Sequence, residues 1–380
     1  MFLVIVAAGA LLWLLILILP WQSWRTRESL DAPVEFSLKT DLSDVTVLIP
    51  ARNEEKHISR TLSAVMDQGI NQKVIVIDDE STDDTAAIVN QHPGLRDVSL
   101  LSGKAIPDGW NGKLWSLQQG LEQVDTPLVL LLDADMELGF GFLAVLREQI
   151  NSKNADMVSV MASLRMLCFW EGLFMPAFVF FFKLLYPFKL SNSDSRHVAA
   201  AAGGCVLIRT EVLRQVGGFE NIRNELIDDC ALARTVKNSG FRTWTGLTHS
   251  AQSVREYNTL SSIWNMVART AFTQLRYSLG WLLLCTVLMF IGFVAPVFAV
   301  FSDHGLVQVL GIVAWILMMV CYVPTLVYYG LAPIMSFFLP VVGLMFLAMT
   351  WTSAIRHWTG NGASWKGRNY FSSDKTPAKQ

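Results

Sequence analysis

Three long apolar stretches, 279–301, 306–329 and 331–355, limit most strongly what this chain can fold into. About twenty consecutive apolar residues span the hydrocarbon of a bilayer, and each stretch is at least that long. A further apolar run occupies 1–21. With 52% hydrophobic and only 16% charged residues, the chain is too apolar for an ordinary soluble protein. The excess is confined to these runs, whereas Asp41 to about Arg165 has the makeup of a soluble domain. The chain therefore reads as an integral membrane protein and not as one with an oversized core.

The run 1–21 carries no charge and is followed by Arg25 and Arg27. A secretory signal would put basic residues before its apolar stretch and small residues after it, so an uncleaved transmembrane anchor is expected. The positive-inside tendency then puts the next domain in the cytosol. The expected organisation is an anchor at 1–21, a linker at 22–44, a cytosolic catalytic domain at 45–277, membrane helices at 278–355 and a basic tail at 356–380. Within the domain, 167–190 is rich in Phe but broken by Glu171, Pro176 and Lys183. An interfacial segment is expected there, with a buried helix as the alternative. Three full crossings would carry the tail out of the cytosol, yet Arg356, Lys366, Arg368, Lys375 and Lys379 follow the last stretch. Positive charge favours the cytosol, so one stretch is expected to be re-entrant or interfacial; the sequence does not say which.

A net charge of -2 gives no reason for a nucleic-acid partner. The five cysteines are scattered without CxxC spacing, which reads as reduced, buried thiols and not as a zinc site. Between the apolar runs, short β-branched or apolar segments alternate with helical patterns. Strands are expected at 45–49, 73–77, 98–101 and 128–132, with helices at 54–68, from Thr82, and at 114–123. Further strands are expected at 157–161 and 199–208. Such alternation means βαβ units and an α/β fold with a mostly parallel, Rossmann-like sheet covered by helices on both faces. Ligands of these sheets bind at the carboxyl ends of the strands.

Those ends carry acids. The strand at 128–132 runs into Asp133-Ala134-Asp135, a spacing that puts both carboxylates on one face of an extended chain, about 7 Å apart. Two hard oxygen ligands suit Mg²⁺ or Mn²⁺ bridging to a diphosphate; a polar turn is the plainer reading. The strand at 73–77 runs into Asp78-Asp79-Glu80-Ser81-Thr82, where a carboxylate can accept hydrogen bonds from a uracil or ribose, or Ser81 or Thr82 can cap the next helix. The first strand ends in Pro50-Ala51-Arg52-Asn53-Glu54. Gly112-Lys113 opens a helix and can bring an ammonium and backbone donors to phosphate oxygens, though the spacing of a Walker A loop is missing. Asp228-Asp229 opens another helix, where acids also favour the first turn for dipole reasons.

In order and spacing, Ile49-Pro50-Ala51-Arg52-Asn53-Glu54, Asp78 to Thr85, Gly112-Lys113, Asp133-Ala134-Asp135 and Asp228-Asp229 resemble family 2 glycosyltransferases with a GT-A fold. Gly109-Trp110-Asn111-Gly112-Lys113-Leu114-Trp115, the Phe-rich run from Pro176, Ala200 to Cys205 and Ala268 to Tyr277 are most similar to bacterial hopene-associated glycosyltransferases. More distantly, the arrangement resembles ceramide glucosyltransferases. The resemblance implies that Asp79 contacts the nucleobase, with Pro50, Arg52 and Glu54 flooring the nucleotide pocket. It implies that Asp133 faces ribose or diphosphate, that Asp135 holds the metal, and that Asp229, with Asp228 beside it, is the catalytic base. Lys113 and Arg276 are candidates for the diphosphate. The implied partners are a nucleotide-sugar donor of the UDP type and a membrane lipid acceptor, at a bacterial inner membrane with the catalytic domain in the cytosol.

Three departures bear on activity. Asp228 stands where the family has Glu, and Ala231 replaces an acid often found two positions after the base. The QxxRW box survives only as Thr273-Gln274-Leu275-Arg276-Tyr277, which favours single transfer over processive synthesis. The late Trp365-Lys366-Gly367-Arg368-Asn369-Tyr370 adds candidate cations or is a plain basic tail. A processive polysaccharide synthase, a nucleotidyltransferase and a non-catalytic scaffold are the rival readings.

Overall fold

The structure, a computed structural model, describes residues 1–32, 40–92 and 98–360, and the backbone of 364–365 and 368–369. In chain order, α1 (Phe2–Ile18) precedes β1 (Val45–Ala51), α2 (Ile58–Met66), β2 (Lys73–Asp78), α3 (Thr85–Gln91) and β3 (Val98–Ser102). Then follow α4 (Gly112–Leu121), β4 (Leu128–Leu132), β5 (Met136–Leu138), α5 (Phe142–Ser152), β6 (Met157–Ser163), α6 (Phe169–Leu185) and α7 (Phe188–Ser191). Next come β7 (Cys205–Arg209), α8 (Thr210–Gln215), α9 (Asp228–Asn238) and β8 (Thr243–Ser253). The helices α10 (Leu260–Gln274), α11 (Leu279–Met289), α12 (Ala295–Val300), α13 (Gly305–Tyr328) and α14 (Leu339–Trp358) follow. The chain divides into two compact units. One comprises Met1–Leu17, Tyr257–Val323 and Pro333–Gln380, and the other Ile18–Glu256 and Pro324–Ala332.

The unit containing Ile18–Glu256 is built on one eight-stranded sheet of order β3-β2-β1-β4-β7-β6-β8-β5. The strands β3, β2, β1 and β4 run parallel, β7 is antiparallel to both its neighbours, β6 and β8 are parallel, and β5 is antiparallel to β8. Every residue of β1 and of β4 is buried, the pattern of strands covered on both faces. Alternate side chains serve opposite layers. Val47, Val76 and Leu130 join one core with residues of α2, α3 and α5. Leu48, Ile77 and Val129 join the other with residues of α4, α8 and α9.

The strand expected at 199–208 begins only at Cys205. Residues before it give their N–H groups to side chains instead of a ladder: Ala200 to Ser191 Oγ at 2.9 Å, and Ala202 to Ser159 Oγ at 2.7 Å. Most of the Phe-rich segment is the helix α6, with Phe174, Met175, Ala177, Val179 and Phe180 fully buried. Exposed apolar side chains sit only near its ends, at Leu167, Phe169 and Leu185. The buried Lys183 donates to the Arg25 carbonyl, and burial pulls its ammonium down to about 8.

Three helical stretches are long and apolar enough to cross a membrane: Leu279–Val300 and Pro333–Trp358 in the other unit, and Gly305–Tyr328, which belongs to it as far as Val323. The first contains a π-helical turn at Phe290–Val294. The Trp13 indole of α1 donates to the Gly292 carbonyl there at 2.8 Å, and a side-chain carbon on Gly9 would come within 2.5 Å of the Ile291 carbonyl oxygen. Such close helix approach needs a small residue.

The third stretch doubles back. Phe337, in the 3-10 turn Pro333–Phe338, stacks on Trp315 at 4.6 Å, thirteen residues back along α13 from Tyr328. From there α14 runs antiparallel to α11: Gly343 lies against Phe293, Trp351 donates to Thr286 Oγ1 at 3.0 Å, and Ala354 shares a cluster with Leu282. Its far end thus returns to the level at which α11 starts. The side chains of 365–370 lie outside the described residues.

Candidate active site

The loops after β1 and β2 are tied together by side-chain caps. Asn53 N–H donates to Ser81 Oγ at 3.0 Å, Thr82 N–H to Asn53 Oδ1 at 2.8 Å and Glu54 N–H to Thr85 Oγ1 at 2.8 Å. Asn53 and Glu80 both adopt left-handed backbone, with φ of 51° and 54°, a conformation uncommon outside glycine. Arg52 holds this arrangement: its guanidinium donates to the Asp79 carbonyl and, at 3.3 Å, to the Glu80 carbonyl. It also faces the buried Asp79 carboxylate at 3.7 Å. Pro50, Arg52, Glu54 and Asp79 are thereby brought to one strand-end rim.

The adjacent strand, β4, delivers Asp133 and Asp135. Asp133 N–H bonds the Gly204 carbonyl at 3.1 Å, and the Ala134 carbonyl accepts from Thr61 Oγ1 at 2.8 Å, so the turn is anchored on both sides. Lys113 stands in the first turn of α4, whose N-cap Asn111 accepts the Lys113 N–H at 3.0 Å. Its ammonium reaches Asp133 Oδ1 at 2.8 Å and Asp228 Oδ2 at 3.2 Å. Burial opposes that charge, but Asp133 and Asp228 outweigh it and hold the ammonium well above its usual range. Asp133 itself is pushed up, first by burial and then by Asp135 and Asp228 against the pull of Lys113.

Asp229 opens α9 beside this group. Its Oδ2 accepts the Gly203 N–H at 2.8 Å and its Oδ1 the Cys230 N–H at 2.7 Å. Burial, with the neighbouring Asp228 charge, pushes its carboxyl up to about 7. Gly203 is required by close approach, since a side-chain carbon there would sit 3.3 Å from Asp229 Oδ2 and 3.5 Å from Lys113 Nζ. One cavity is lined by Pro50, Lys113, Asp133, Gly203, Asp228 and Asp229. Burial, and then the Asp133 charge, raises the thiol of the buried Cys205 to about 12.

One residue was not singled out from the sequence. Arg255, just past β8, reaches Asp135 Oδ2 at 2.5 Å and Glu54 Oε1 at 3.1 Å. It stands in no recognisable motif, and only the fold brings it to these acids. Arg276 belongs to the other unit, in left-handed backbone (φ 53°) past α10.

The carboxylates of Asp133 and Asp135 are hard oxygen donors of the kind that Mg²⁺ and Mn²⁺ accept. Among the described residues no group of three or more His, Cys, Asp or Glu converges to hold a metal. Asp133 and Asp135 are the residues that would hold such an ion, with Arg255 already ion-paired to Asp135.

Comparisons with known proteins fit this geometry. Over 101 residues the chain is 35% identical to a 4,4'-diaponeurosporenoate glycosyltransferase of Staphylococcus aureus strain bovine RF122 / ET3-1, covering 26% of each chain. The protein of that name from strain MRSA252 is 37% identical over 93 residues, 24% of each chain. The matched region thus spans about a quarter of these relatives. Among solved structures, the mannosyltransferase PcManGT from Pyrobaculum calidifontis, in complex with GDP-Man and Mn2+, is similar in fold. Its TM-score is 0.52 at 16% identity, covering 93% of this chain and 99% of that one. Residues 46–217, from β1 through α8, match the family model of Glycosyl transferase family 2. That match takes in the strand-end acids after β1, β2 and β4, and the likeness to the solved mannosyltransferase is one of fold.

Proposed function

We propose that the chain is an inverting glycosyltransferase that moves one sugar from a nucleotide-sugar to a membrane lipid. The observation that carries this reading is Asp229: a carboxylate raised to about 7, oriented by the Gly203 N–H, in the cavity that holds Lys113 and Asp133. A general base works best with a pKa near the operating pH. Asp229 accepts the proton of the acceptor oxygen as that oxygen attacks the anomeric carbon. Attack from the face opposite the leaving diphosphate inverts the sugar's configuration. Lys113, shared between Asp133 and Asp228, sets a positive charge beside the departing phosphate oxygens. A divalent metal held by Asp135 and Asp133 would supply further charge neutralisation to the diphosphate. Arg52 fixes the loop that presents Asp79 to the base of the nucleotide.

A lipid acceptor is supported by the membrane-length helices and by relatives named for a carotenoid acid. A hopanoid is one such lipid. Single transfer is supported by the altered box at Thr273 to Tyr277, where Tyr277 stacks on His357 at 4.4 Å and accepts from Thr273 Oγ1 at 3.1 Å.

Nucleotide release by detergent-purified protein, measured over a panel of UDP-, GDP- and dTDP-sugars with membrane lipid extract, tests the reading. Nucleoside diphosphate and a glycosylated lipid are expected. Release of pyrophosphate would mean a nucleotidyltransferase, and glycosylation of water-soluble acceptors alone would remove the lipid.

A further inference from the structure

A second cavity, of about 480 Å³, shares no residue with the one around Asp229, which holds about 20 Å³. Its walls are the end of α5, the loop after α7, the end of α9 and the first residues of β8. Ile208 of β7 pairs with Met157 at the start of β6 and with Val129 near the start of β4. The cavity therefore lies at the opposite end of the sheet from the carboxylates that follow β4. Its volume falls within the range of small-molecule sites, about 300–1,000 Å³.

Charge sets this cavity apart. The chain has 32 acids to 30 lysines and arginines, yet Lys153, Arg196, Lys237 and Arg242 line the cavity against a single acid, Asp194. Lys153 and Lys237 stand at the C-terminal ends of α5 and α9, where basic residues complement the helix dipole. No such duty accounts for Arg196 or Arg242. Arg242 meets Asp194 at 3.6 Å, but that carboxylate is 86% exposed, so the pair is weak. Among the described residues no carboxylate pairs with Arg196 or Lys153. The nearby Asp156 is taken, by the Arg242 N–H at 2.8 Å and by Arg209 at 3.7 Å.

The walls are fixed by hydrogen bonds. Lys237, 4% exposed, gives its ammonium to the carbonyls of Ser191 at 2.5 Å, Val198 at 2.8 Å and Leu190 at 3.4 Å. It thus pins both ends of the loop that bears Arg196. Carbonyl dipoles satisfy its hydrogens, and no carboxylate pairs with it among the described residues. Asn192 ties the same loop to β8, accepting the Thr245 N–H at 2.7 Å and donating to the Thr245 carbonyl at 2.9 Å. Trp244 adds an aromatic wall, its ring lying over Gly246, where a side-chain carbon would collide with it.

We infer that this cavity is a second ligand site, which receives a phosphate group carried on a small organic body. Guanidinium forks match phosphate oxygens. A phosphate monoester brings about two negative charges to walls where four cations face one acid. Trp244 offers the rest of the molecule a surface to pack on. The site does not depend on the transfer reaction proposed above, because none of its residues lines the catalytic cavity.

The probe is phenyl phosphate, titrated into the full-length protein in phosphatidylcholine nanodiscs and followed by calorimetry and hydrogen-exchange mass spectrometry. Saturable binding is expected, with slowed exchange at 190–198 and 237–244; sodium chloride at matched ionic strength should give neither. Arg196→Gln combined with Arg242→Gln should weaken binding by about tenfold or more. Arg196→Lys combined with Arg242→Lys should keep part of it, and an unaltered melting temperature shows that both variants fold. Nanodiscs containing phosphatidylglycerol decide the source of the phosphate. Protection of the same peptides without added probe, lost in the Gln pair, assigns it to a lipid headgroup, and protection by phenyl phosphate alone assigns it to a soluble ester. Protection confined to the loops after β2 and β4 would put the ester in the catalytic cavity and overturn the site. So would an unchanged affinity in the Gln pair, or no protection from either source.

Discussion

The Arg255 Nε meets Asp135 Oδ2 at 2.5 Å, so the acid expected to hold a metal already has a cation. A divalent ion must compete with that guanidinium. Arg255→Gln is therefore expected to bind Mn²⁺ about tenfold more tightly than wild type in the absence of donor, a difference of ~1.4 kcal/mol. Electron paramagnetic resonance titration of free Mn²⁺ measures this. Equal affinity in the two proteins would show that Arg255 and the metal do not share Asp135.

Removing metal is a separate matter. With donor present, EDTA should abolish transfer, and Mg²⁺ or Mn²⁺ should restore it. Asp135→Asn should need far more metal for the same rate. Full activity in metal-stripped protein would leave Lys113 and Arg255 as the cations that serve the diphosphate.

Asp229 gives the pH dependence a sign. Its carboxyl lies at about 7 in the fold against an ordinary 3.8, so the rate limb that needs the free base should fall below pH 7, about tenfold per unit. Asp229→Asn should flatten that limb and lower kcat by about 10²–10⁴, the range for a general base. The same shift affects stability in the opposite sense. Between about 4 and 7 the folded chain keeps a proton that the unfolded chain has lost, so stability linked to Asp229 is lost as pH rises through 7. The melting temperature of Asp229→Asn should therefore gain on wild type between pH 5 and pH 8.

Lys113 is shared by Asp133 at 2.8 Å and Asp228 at 3.2 Å. Lys113→Met leaves both carboxylates facing the diphosphate without a counter-charge. Calorimetry with a nucleoside diphosphate should show at least tenfold weaker binding, partly recovered in Lys113→Arg. An unchanged affinity would move the phosphate site away from α4.

The returning course of α14 predicts a labelling pattern. Single cysteines at Ser278, Ser302 and Thr359, in a background where the native cysteines are replaced, can be probed in sealed vesicles with a membrane-impermeant maleimide. Positions 278 and 359 should react from the same side and 302 from the other. Labelling of 278 and 359 from opposite sides would mean that Pro333–Trp358 crosses fully.

Much of this was legible in the sequence, for identifiable reasons. The four parallel strands announce themselves because both their faces are buried, as the uniformly buried β1 and β4 show. The acids that follow them stand out because polar clusters after such strands need a purpose. Asp133, Lys113, Asp228 and Asp229 do converge on one cavity. What escaped the sequence depends on contacts distant in the chain. Arg255 gains meaning only from Glu54 and Asp135. The late start of β7 follows from Ser159, Ser191 and Asp229 claiming backbone donors that a strand would have used. The doubling back of 333–358 cannot be read from hydropathy, because a hairpin and a crossing have the same composition.

The π-turn at Phe290–Val294 has a mechanical side. Inserting a residue into a helical turn leaves a carbonyl whose usual donor is displaced. The Gly292 oxygen takes the Trp13 indole instead. A smooth apolar rod such as α1 has few directional contacts to fix its height along a neighbour or its rotation about its own axis. A single directional bond into a notch, with Gly9 seated against Ile291 one turn away, fixes both. The helix is keyed like a shaft in a slot, and everything threaded through it inherits that register.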